Sequence, residues 1–179
     1  MNHEEILQFW FEEIKPSQIW IKDASFDQLI IDRYTDIYQQ AICCELYHWR
    51  ETPQGRLAEI IVLDQFSRNM FRESAKAFKF DALALALSQQ ALKCGDDQKL
   101  DKQKRGFMYL PFMHSESREI HKQALKIYTR HGVKGSLDFE VKHKNIIDKF
   151  GRYPHRNKVL GRQSTDEEIE FLKGSNSGF

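Results

Sequence analysis

The sequence has few of the features that mark secreted and membrane proteins. Its three cysteines are an odd number without zinc-binding spacing, and the adjacent Cys43 and Cys44 are poorly placed to bridge each other. We therefore expect reduced, buried thiols, with Cys94 shielded in an apolar helix. No run approaches the roughly 18 apolar residues of a membrane span, and Glu4 and Glu5 precede only a short apolar run, unlike a signal peptide. These absences predict a cytoplasmic protein without a membrane partner.

An excess of charge of one sign is also absent. The chain has 27 lysines and arginines against 26 aspartates and glutamates, which gives a formal net charge of +1. This balance provides no overall basic field that would attract nucleic acid. The lysine-rich segments KQKR and KHKN are short and have acidic neighbours, so they fit solvated faces better than phosphate contacts. We expect no nucleic-acid partner.

No stretch combines enrichment in β-branched residues with the two-residue alternation of a strand. Apolar residues recur instead with the 3.6-residue period of helices, which predicts an all-α fold of about eight helices. Thr52 before Pro53 is typical of an N-cap followed by proline at the first helical position. The predicted helices cover His3–Ile14, Ser25 to Tyr47 or Trp49, a central segment from Thr52, Ser74–Cys94, a short helix interrupted by Pro111, Ser115–Gly132, Leu137–Phe150 and Thr165–Lys173.

The pattern predicts one domain over residues 1–173 and a flexible tail containing glycine and serine at 174–179. We expect Trp20 and Ile21, in a short connector, to insert into the core. The run from Ala82 to Leu87 alternates alanine and leucine without a polar residue. Because both are strong helix formers, this run predicts a fully buried helix.

The stretch LAEIIVLDQFSRNMFR, residues 57–72, changes from apolar to polar part-way along one helical face. Asp64 and Arg68 stand at i and i+4, where they can pair directly. Apolar side chains flank both residues, which predicts that the pair is at least half buried. Arginine presents a rigid fork of donors suited to a carboxylate or a phosphate. The alternative is a structural ion pair that joins this helix to its neighbour.

Three polar clusters interrupt the apolar pattern at helix ends or in loops, where rigid scaffolds commonly place functional groups. The first comprises Asp64, Gln65, Arg68, Asn69 and Arg72; the second comprises Tyr109, His114, Ser115 and Glu116; the third comprises Arg152, Tyr153, His155, Arg156 and Asn157. Their arginines and histidines outnumber the carboxylates of Asp64 and Glu116. Because unpaired buried charge is costly, this surplus predicts a pocket that a small anion or a peptide carboxylate completes.

Three functional interpretations stay open. The leading one is a binding module whose arginines and histidines converge on an anionic ligand. The second is a hydrolase-type enzyme that uses His114 or His155 as a base, oriented by Glu116. The third is a scaffold in which these residues only lock helices together. His114 and Glu116 have no third ligand at a metal-binding spacing, so we expect no metal and no cofactor. The oligomeric state stays open.

Three separated motifs, LDQFSRNMFR, PFMHSE and FGRYPHRNKVLGRQST, resemble those of the domain-of-unknown-function family 924, in the family's order. The likeness covers nearly the whole chain, from FWF to EEIEFL. It implies an all-helical array similar to tetratricopeptide repeats, with stacked antiparallel helix pairs and a right-handed course. The sequence shows no repeat of about 34 residues, so this likeness is one of shape.

The resemblance also implies a local departure from a regular helix. Family members have proline where this chain has Ser67 and glycine where it has Glu73. The usual proline implies a break or kink near Phe66, which would move Asn69 and Arg72 away from the face of the preceding turns. The family brings no activity with it.

Overall fold

The computed structural model describes residues 2–131 and 135–174. Every regular element within these ranges is a helix, as predicted. The α-helices are α1 (His3–Gln8), α2 (Ala24–Ile42), α3 (Pro53–Ile61), α4 (Ser67–Met70), α5 (Asp81–Lys93), α6 (Lys102–Met113), α7 (Arg118–His131), α8 (Ser136–Phe150) and α9 (Asp166–Leu172). Short 3-10 helices lie at Pro16–Trp20, Tyr47–Glu51, Ala75–Phe78, Asp96–Lys99 and Pro154–Arg156. The predicted helix end at Gly132 and residues 175–179 of the predicted tail lie outside the described residues.

Local capping signals are confirmed at several helix ends. The Thr52 side chain accepts a hydrogen bond from a backbone N–H of the first turn of α3. Thr165 and Glu168 form a reciprocal capping box at the start of α9. Gly95 and Gly151 follow α5 and α8 with φ of 69° and 70°. Glycine adopts this left-handed conformation without the steric cost that a Cβ imposes.

Two predicted helix boundaries are wrong. The long helix α2 ends at Ile42 rather than at Tyr47 or Trp49, because the chain turns at Cys44, whose φ is 59°. The segment predicted as one helix from Ser74 is split into a 3-10 turn and α5. These breaks lie in turns that do not contain glycine or proline, so no local signal in the residues marks them.

Pro111 does not interrupt α6, contrary to expectation. It lies in the last turn of the helix, where its missing N–H removes only one backbone hydrogen bond before the helix ends. The helix therefore continues to Met113, and His114 is its C-cap.

Several burial predictions are also wrong. Trp20 is 66% exposed and Ile21 is 49% exposed, so neither inserts into the core. Ala82 and Ala86 on α5 are exposed as well. A helix rotates about 100° per residue, so an unbroken apolar run presents some of its side chains to solvent unless neighbours surround it. The three cysteines are free, as expected, but all are exposed.

The central segment has neighbours on all sides. A π-helical turn at Val62–Phe66 joins α3 to α4 without a break. Every residue from 57 to 67 is buried, and α3 packs against α1, α5 and α6. The π turn falls where the resemblance implied an irregular helix.

Helices α5 and α6 are antiparallel neighbours. The Ser88 hydroxyl of α5 donates to the Met108 carbonyl of α6, and Asp81, at the start of α5, lies with His114 at the end of α6 in one cavity. Contacts continue from α6 to α7 and from α7 to α8. The right-handed, tetratricopeptide-like course stays a prediction.

We expect Gly55→Ala to destabilise the fold, although alanine normally stabilises a helix interior by about 1 kcal/mol relative to glycine. A Cβ on Gly55 would lie 2.0 Å from the Trp49 carbonyl oxygen, so the backbone would have to move. Urea unfolding measures the effect. Gln54→Ala, at an exposed position in the same turn, serves as the control and should change the unfolding free energy by less than about 0.5 kcal/mol. A Gly55→Ala protein as stable as the wild type would contradict the close packing.

Candidate functional site

Asp64 and Arg68 are paired and mostly buried, as predicted. Arg68 Nη1 lies 3.3 Å from Asp64 Oδ1, and the side chains are 21% and 1% exposed. Arg68 also donates to both oxygens of Asp81, at 3.1 and 3.0 Å. Sequence reasoning missed Asp81, because an acidic residue in the first turn of a helix is ordinarily explained by the helix dipole. Arg68 thus holds two carboxylates that belong to different helical segments.

His114 is oriented by Asp64 and not by Glu116, so that part of the enzyme interpretation is wrong. The His114 Nδ1 atom lies 2.7 Å from Asp64 Oδ1, and the Gln65 amide donates to Asp64 Oδ2. Although burial opposes ionisation, Arg68 and His114 hold the pKa of Asp64 well below its usual value. An ionised carboxylate accepts the Nδ1 proton, which leaves Nε2 as the acceptor nitrogen of the ring. Nε2 has no hydrogen-bond partner among the described residues.

Burial keeps His114 in its neutral form. Burial, together with the charge of Arg68, lowers the pKa of His114, and this effect exceeds the opposing one of Asp64. At neutral pH the imidazole therefore keeps one unprotonated nitrogen. It has no positive charge with which to attract an anion.

Glu116 is held by Arg162, a residue that sequence reasoning did not single out. Arg162 donates to both oxygens of Glu116 at 2.6 and 2.9 Å, and the Tyr153 backbone N–H donates to it at 2.7 Å. Against the effect of burial, the hydrogen bonds from Arg162 and Tyr153 lower the pKa of Glu116. Glu116 therefore anchors the segment after α8 to the start of α7.

Arg156 is buried beside two aromatic rings. Its side chain is 7% exposed, and its guanidinium carbon lies 4.5 Å from the centroids of both Phe78 and Tyr153. Its side chain makes one hydrogen bond to the described residues, a long one from Nη1 to Asp81 Oδ2 at 3.4 Å. Nε is buried without a partner in the described residues. Burial and the charge of Arg68 lower the pKa of Arg156.

A cavity of about 340 Å³ lies between α5, the end of α6 and the segment that follows α8. Its polar lining consists of Lys79, Asp81, His114, Ser115, Glu116 and Arg156. Its apolar lining consists of Ala75, Phe78, Ala82, Leu85, Pro111 and Leu160. His114, Ser115 and Glu116 of the second predicted cluster thus meet Arg156 of the third. Arg68 of the first cluster contacts the cavity indirectly, because it binds Asp81, which lines the cavity.

Asn69 and Arg72 of the first cluster bind elsewhere. The Asn69 amide donates to Asp27 Oδ1 at 2.8 Å, and Arg72 Nη2 donates to the same oxygen at 2.6 Å. Asp27 belongs to α2, so these two residues fasten the central helix to α2. They do not line the cavity.

Arg152 and Asn157 also form structural contacts away from the cavity. Arg152 donates to both oxygens of Glu168 at 2.6 and 2.7 Å, and Asn157 donates to Glu168 at 3.2 Å. His155 lies against the ring of Tyr153, with 5.5 Å between ring centroids. His155 Nδ1 is buried without a partner in the described part of the chain.

The predicted surplus of cations is therefore wrong. Arg68, Arg72 and Arg152 each bind a carboxylate that was left out of the sequence count, namely Asp81, Asp27 and Glu168. At the cavity, the arginines 68, 156 and 162 are matched by the carboxylates of residues 64, 81 and 116. The side chain that leaves room for an anion is Arg156, because its pairing is incomplete within the described residues.

The described residues contain no group of three or more histidine, cysteine, aspartate or glutamate side chains placed to hold a metal ion. In the same ranges, no helix has the length and apolar character needed to cross a membrane.

Comparison with known proteins identifies the family. Residues 6–176 match the family described as "Bacterial protein of unknown function (DUF924)", and the chain belongs to this family. A solved structure of a protein of unknown function, ATU0120 from Agrobacterium tumefaciens, is similar with a TM-score of 0.91 and 36% sequence identity. That similarity covers 96% of this chain and 97% of the other. No curated protein matches.

We expect Arg68→Ala to lower the unfolding free energy by about 3–5 kcal/mol, because it leaves the buried Asp64 and the partly buried Asp81 without their main partner. Urea unfolding provides the measurement. Arg130→Ala, which removes the same charge from an exposed position on α7, should have an effect below about 0.5 kcal/mol. Equal unfolding midpoints for the two variants would refute the central role of Arg68.

We expect stability to fall as the pH is lowered from about 6.5 to about 4. Burial, with the charge of Arg156, lowers the pKa of His155 to about 4, whereas histidine in the unfolded chain titrates near 6.5. Between these values the unfolded state binds a proton that the folded state excludes, so acid favours unfolding. Between pH 7 and about pH 5, His155→Gln should lose about 2 kcal/mol less than the wild type in urea unfolding. An unchanged pH dependence would show that His155 is not held neutral.

Proposed function

We propose that this protein is a binding module and that its cavity holds a small anionic ligand through Arg156. The observation that carries this proposal is the state of the Arg156 guanidinium. The side chain is more than nine-tenths buried, yet within the described part of the chain it makes one hydrogen bond, which is long. Buried charged groups are ordinarily fully hydrogen-bonded, because an unmet donor costs about 1–3 kcal/mol. An anion in the cavity supplies the missing acceptor.

The position of Arg156 is fixed before a ligand arrives. The guanidinium carbon lies within cation–π distance of both the Phe78 and Tyr153 rings, 4.5 Å from each centroid, and these contacts restrict its movement. Tyr153 is itself fixed, because its hydroxyl donates to the Met113 carbonyl at 2.6 Å and lies 3.1 Å from His121 Nε2. A fixed donor loses little conformational entropy on binding, which favours affinity.

A second candidate function is hydrolysis with His114 as the general base. The specific observation is that Asp64 fixes the proton on Nδ1, while Nε2 has no partner among the described residues and His114 lines the same cavity as Arg156. A neutral imidazole oriented in this way can take a proton from water. Asp64, and not Glu116, takes the orienting role in this version.

We further propose that residues 1–173 act as one domain in the cytoplasm, and that the helices stack in a right-handed, tetratricopeptide-like array. A peptide carboxylate is an alternative ligand of the same chemistry. A pure scaffold explains the fully paired arginines equally well, but it gives no reason for the incomplete pairing of Arg156.

We expect acetate, phosphate or sulfate to raise the melting temperature in a saturable way, as linkage between binding and folding requires. Arg156→Ala should abolish this rise. Arg156→Lys, which keeps the charge but loses the planar fork, should weaken it. Circular dichroism establishes that each variant is folded.

Arg130→Ala is the matched control, because it removes one positive charge from an exposed site and should leave the anion effect unchanged. If no anion raises the melting temperature of the wild type, or if Arg156→Ala responds as the wild type does, the proposed function is wrong.

A further inference from the structure

We infer that the ligand is a monocarboxylate with a short apolar tail, whose carboxylate meets Arg156 and whose tail lies along the α5–α6 pair. This inference rests on the proposed anion-binding function and specifies the chemical class of the ligand. It follows from the way in which polar and apolar side chains are distributed along the cavity.

The antiparallel course of α5 and α6 gives the cavity a polar end and an apolar end. Asp81 and His114 lie together at the polar end. Leu85 follows Asp81 by four residues, which is about 6 Å along α5, and Pro111 precedes His114 by three residues, about 4.5 Å along α6. Because the two helices run in opposite directions, both displacements point the same way. Leu85 and Pro111 therefore form one apolar wall beside the polar groups.

The apolar lining has surface that the protein itself leaves uncovered. Ala82 is exposed, and Leu85 is half-buried although it packs partly against the main core. Phe78 and Leu160 extend the same lining. Covering apolar surface contributes about 25 cal/mol per Å², so a tail against this wall strengthens binding without a polar contact.

The charges of the cavity favour one negative charge over two. Asp81 and Glu116 line the cavity together with Arg156, and of the three arginines of the site only Arg156 lacks a carboxylate of the described residues within 3.0 Å. Lys79, the further cation of the lining, is exposed and solvated. A phosphate dianion would bring a second charge close to Asp81 and Glu116 without a buried cation to offset it, whereas a carboxylate brings one charge to Arg156.

In the described part of the chain, Arg156 has a free guanidinium edge, formed by Nε and Nη2. Other arginines of this protein bind carboxylates through this same edge. Arg50, Arg72 and Arg152 each bind a carboxylate through Nε and Nη2, as in the Arg50–Glu59 pair at 2.7 and 2.6 Å. In Arg156 neither of these atoms has a partner among the described residues. Nη2, unlike Nε, is not buried, so it makes the first contact. Because Nε is buried, pairing with Nε as well requires the guanidinium to rotate toward the cavity.

The size of the cavity limits the tail. A volume of about 340 Å³ is at the lower end of the range of about 300–1,000 Å³ found for small-molecule sites. A short acyl chain fits this space, and a long chain would have to extend into solvent.

The test is an NMR chemical-shift titration of the whole protein with acetate, butanoate, hexanoate, octanoate and inorganic phosphate. We expect the dissociation constant to fall about fourfold for each methylene that the cavity covers, and then to level off. Phosphate should bind more weakly than hexanoate.

Ala82→Phe adds a ring to the apolar lining of the cavity. It should remove the gain in affinity of hexanoate and octanoate over acetate, each measured on this variant. Ala86→Phe introduces the same ring at another exposed position of α5 that does not line the cavity, and it should bind every acid as the wild type does.

Each outcome distinguishes this inference from the proposed function. If all the acids bind equally, or if phosphate binds more tightly than hexanoate, the tailed monocarboxylate is wrong while anion binding stands. If neither the acids nor phosphate bind, the proposed function itself fails. A chain-length gain that survives in Ala82→Phe would place the tail outside this cavity and overturn the inference.

Discussion

Complete burial of the central helical segment is the constraint on which the polar architecture depends. All residues from 57 to 67 are buried, so a charged side chain in this segment has no water to stabilise it. Glu59 is matched by both Nε and Nη2 of Arg50. The charge of Asp64 is matched by Arg68, and the neutral His114 donates a hydrogen bond to the same carboxylate. The need to stabilise Asp64 therefore determines the positions of Arg68 on α4 and of His114 at the end of α6, where His114 lines the cavity.

The end of α6 connects this buried charge to the cavity. Because α6 continues through Pro111, His114 stands at its C-cap and reaches Asp64 with one ring nitrogen while its side chain lines the cavity. A helix that ended before Pro111 would have placed His114 in a loop, with no fixed orientation toward Asp64. The continuity of one helical turn thus gives the histidine a defined tautomer and a defined place beside Arg156.

The fold and parts of the site were predictable where the cause is local. The N-cap at Thr52 and the glycine end at Gly95 depend on neighbouring residues, and the i, i+4 pair of Asp64 and Arg68 depends on helix geometry. The partners that complete the site are distant along the chain: Arg162 binds Glu116 from 46 residues away. Such pairs depend on how the helices pack, which composition and periodicity do not determine. For the same reason the sequence count overestimated the free cations.

The arginines of this protein divide into two groups, and the division bears on function. A scaffold needs each partly buried cation to hold a carboxylate on a neighbouring segment, and Arg68, Arg72, Arg152 and Arg162 do so at 3.0 Å or less. Their conversion to neutral residues would loosen helix packing whether or not a ligand exists. Arg156 is more deeply buried than any of them, but its closest carboxylate contact among the described residues is 3.4 Å and its Nε has no partner there. Since burial without pairing costs free energy, stability alone does not account for this side chain, and an acceptor from outside the chain does.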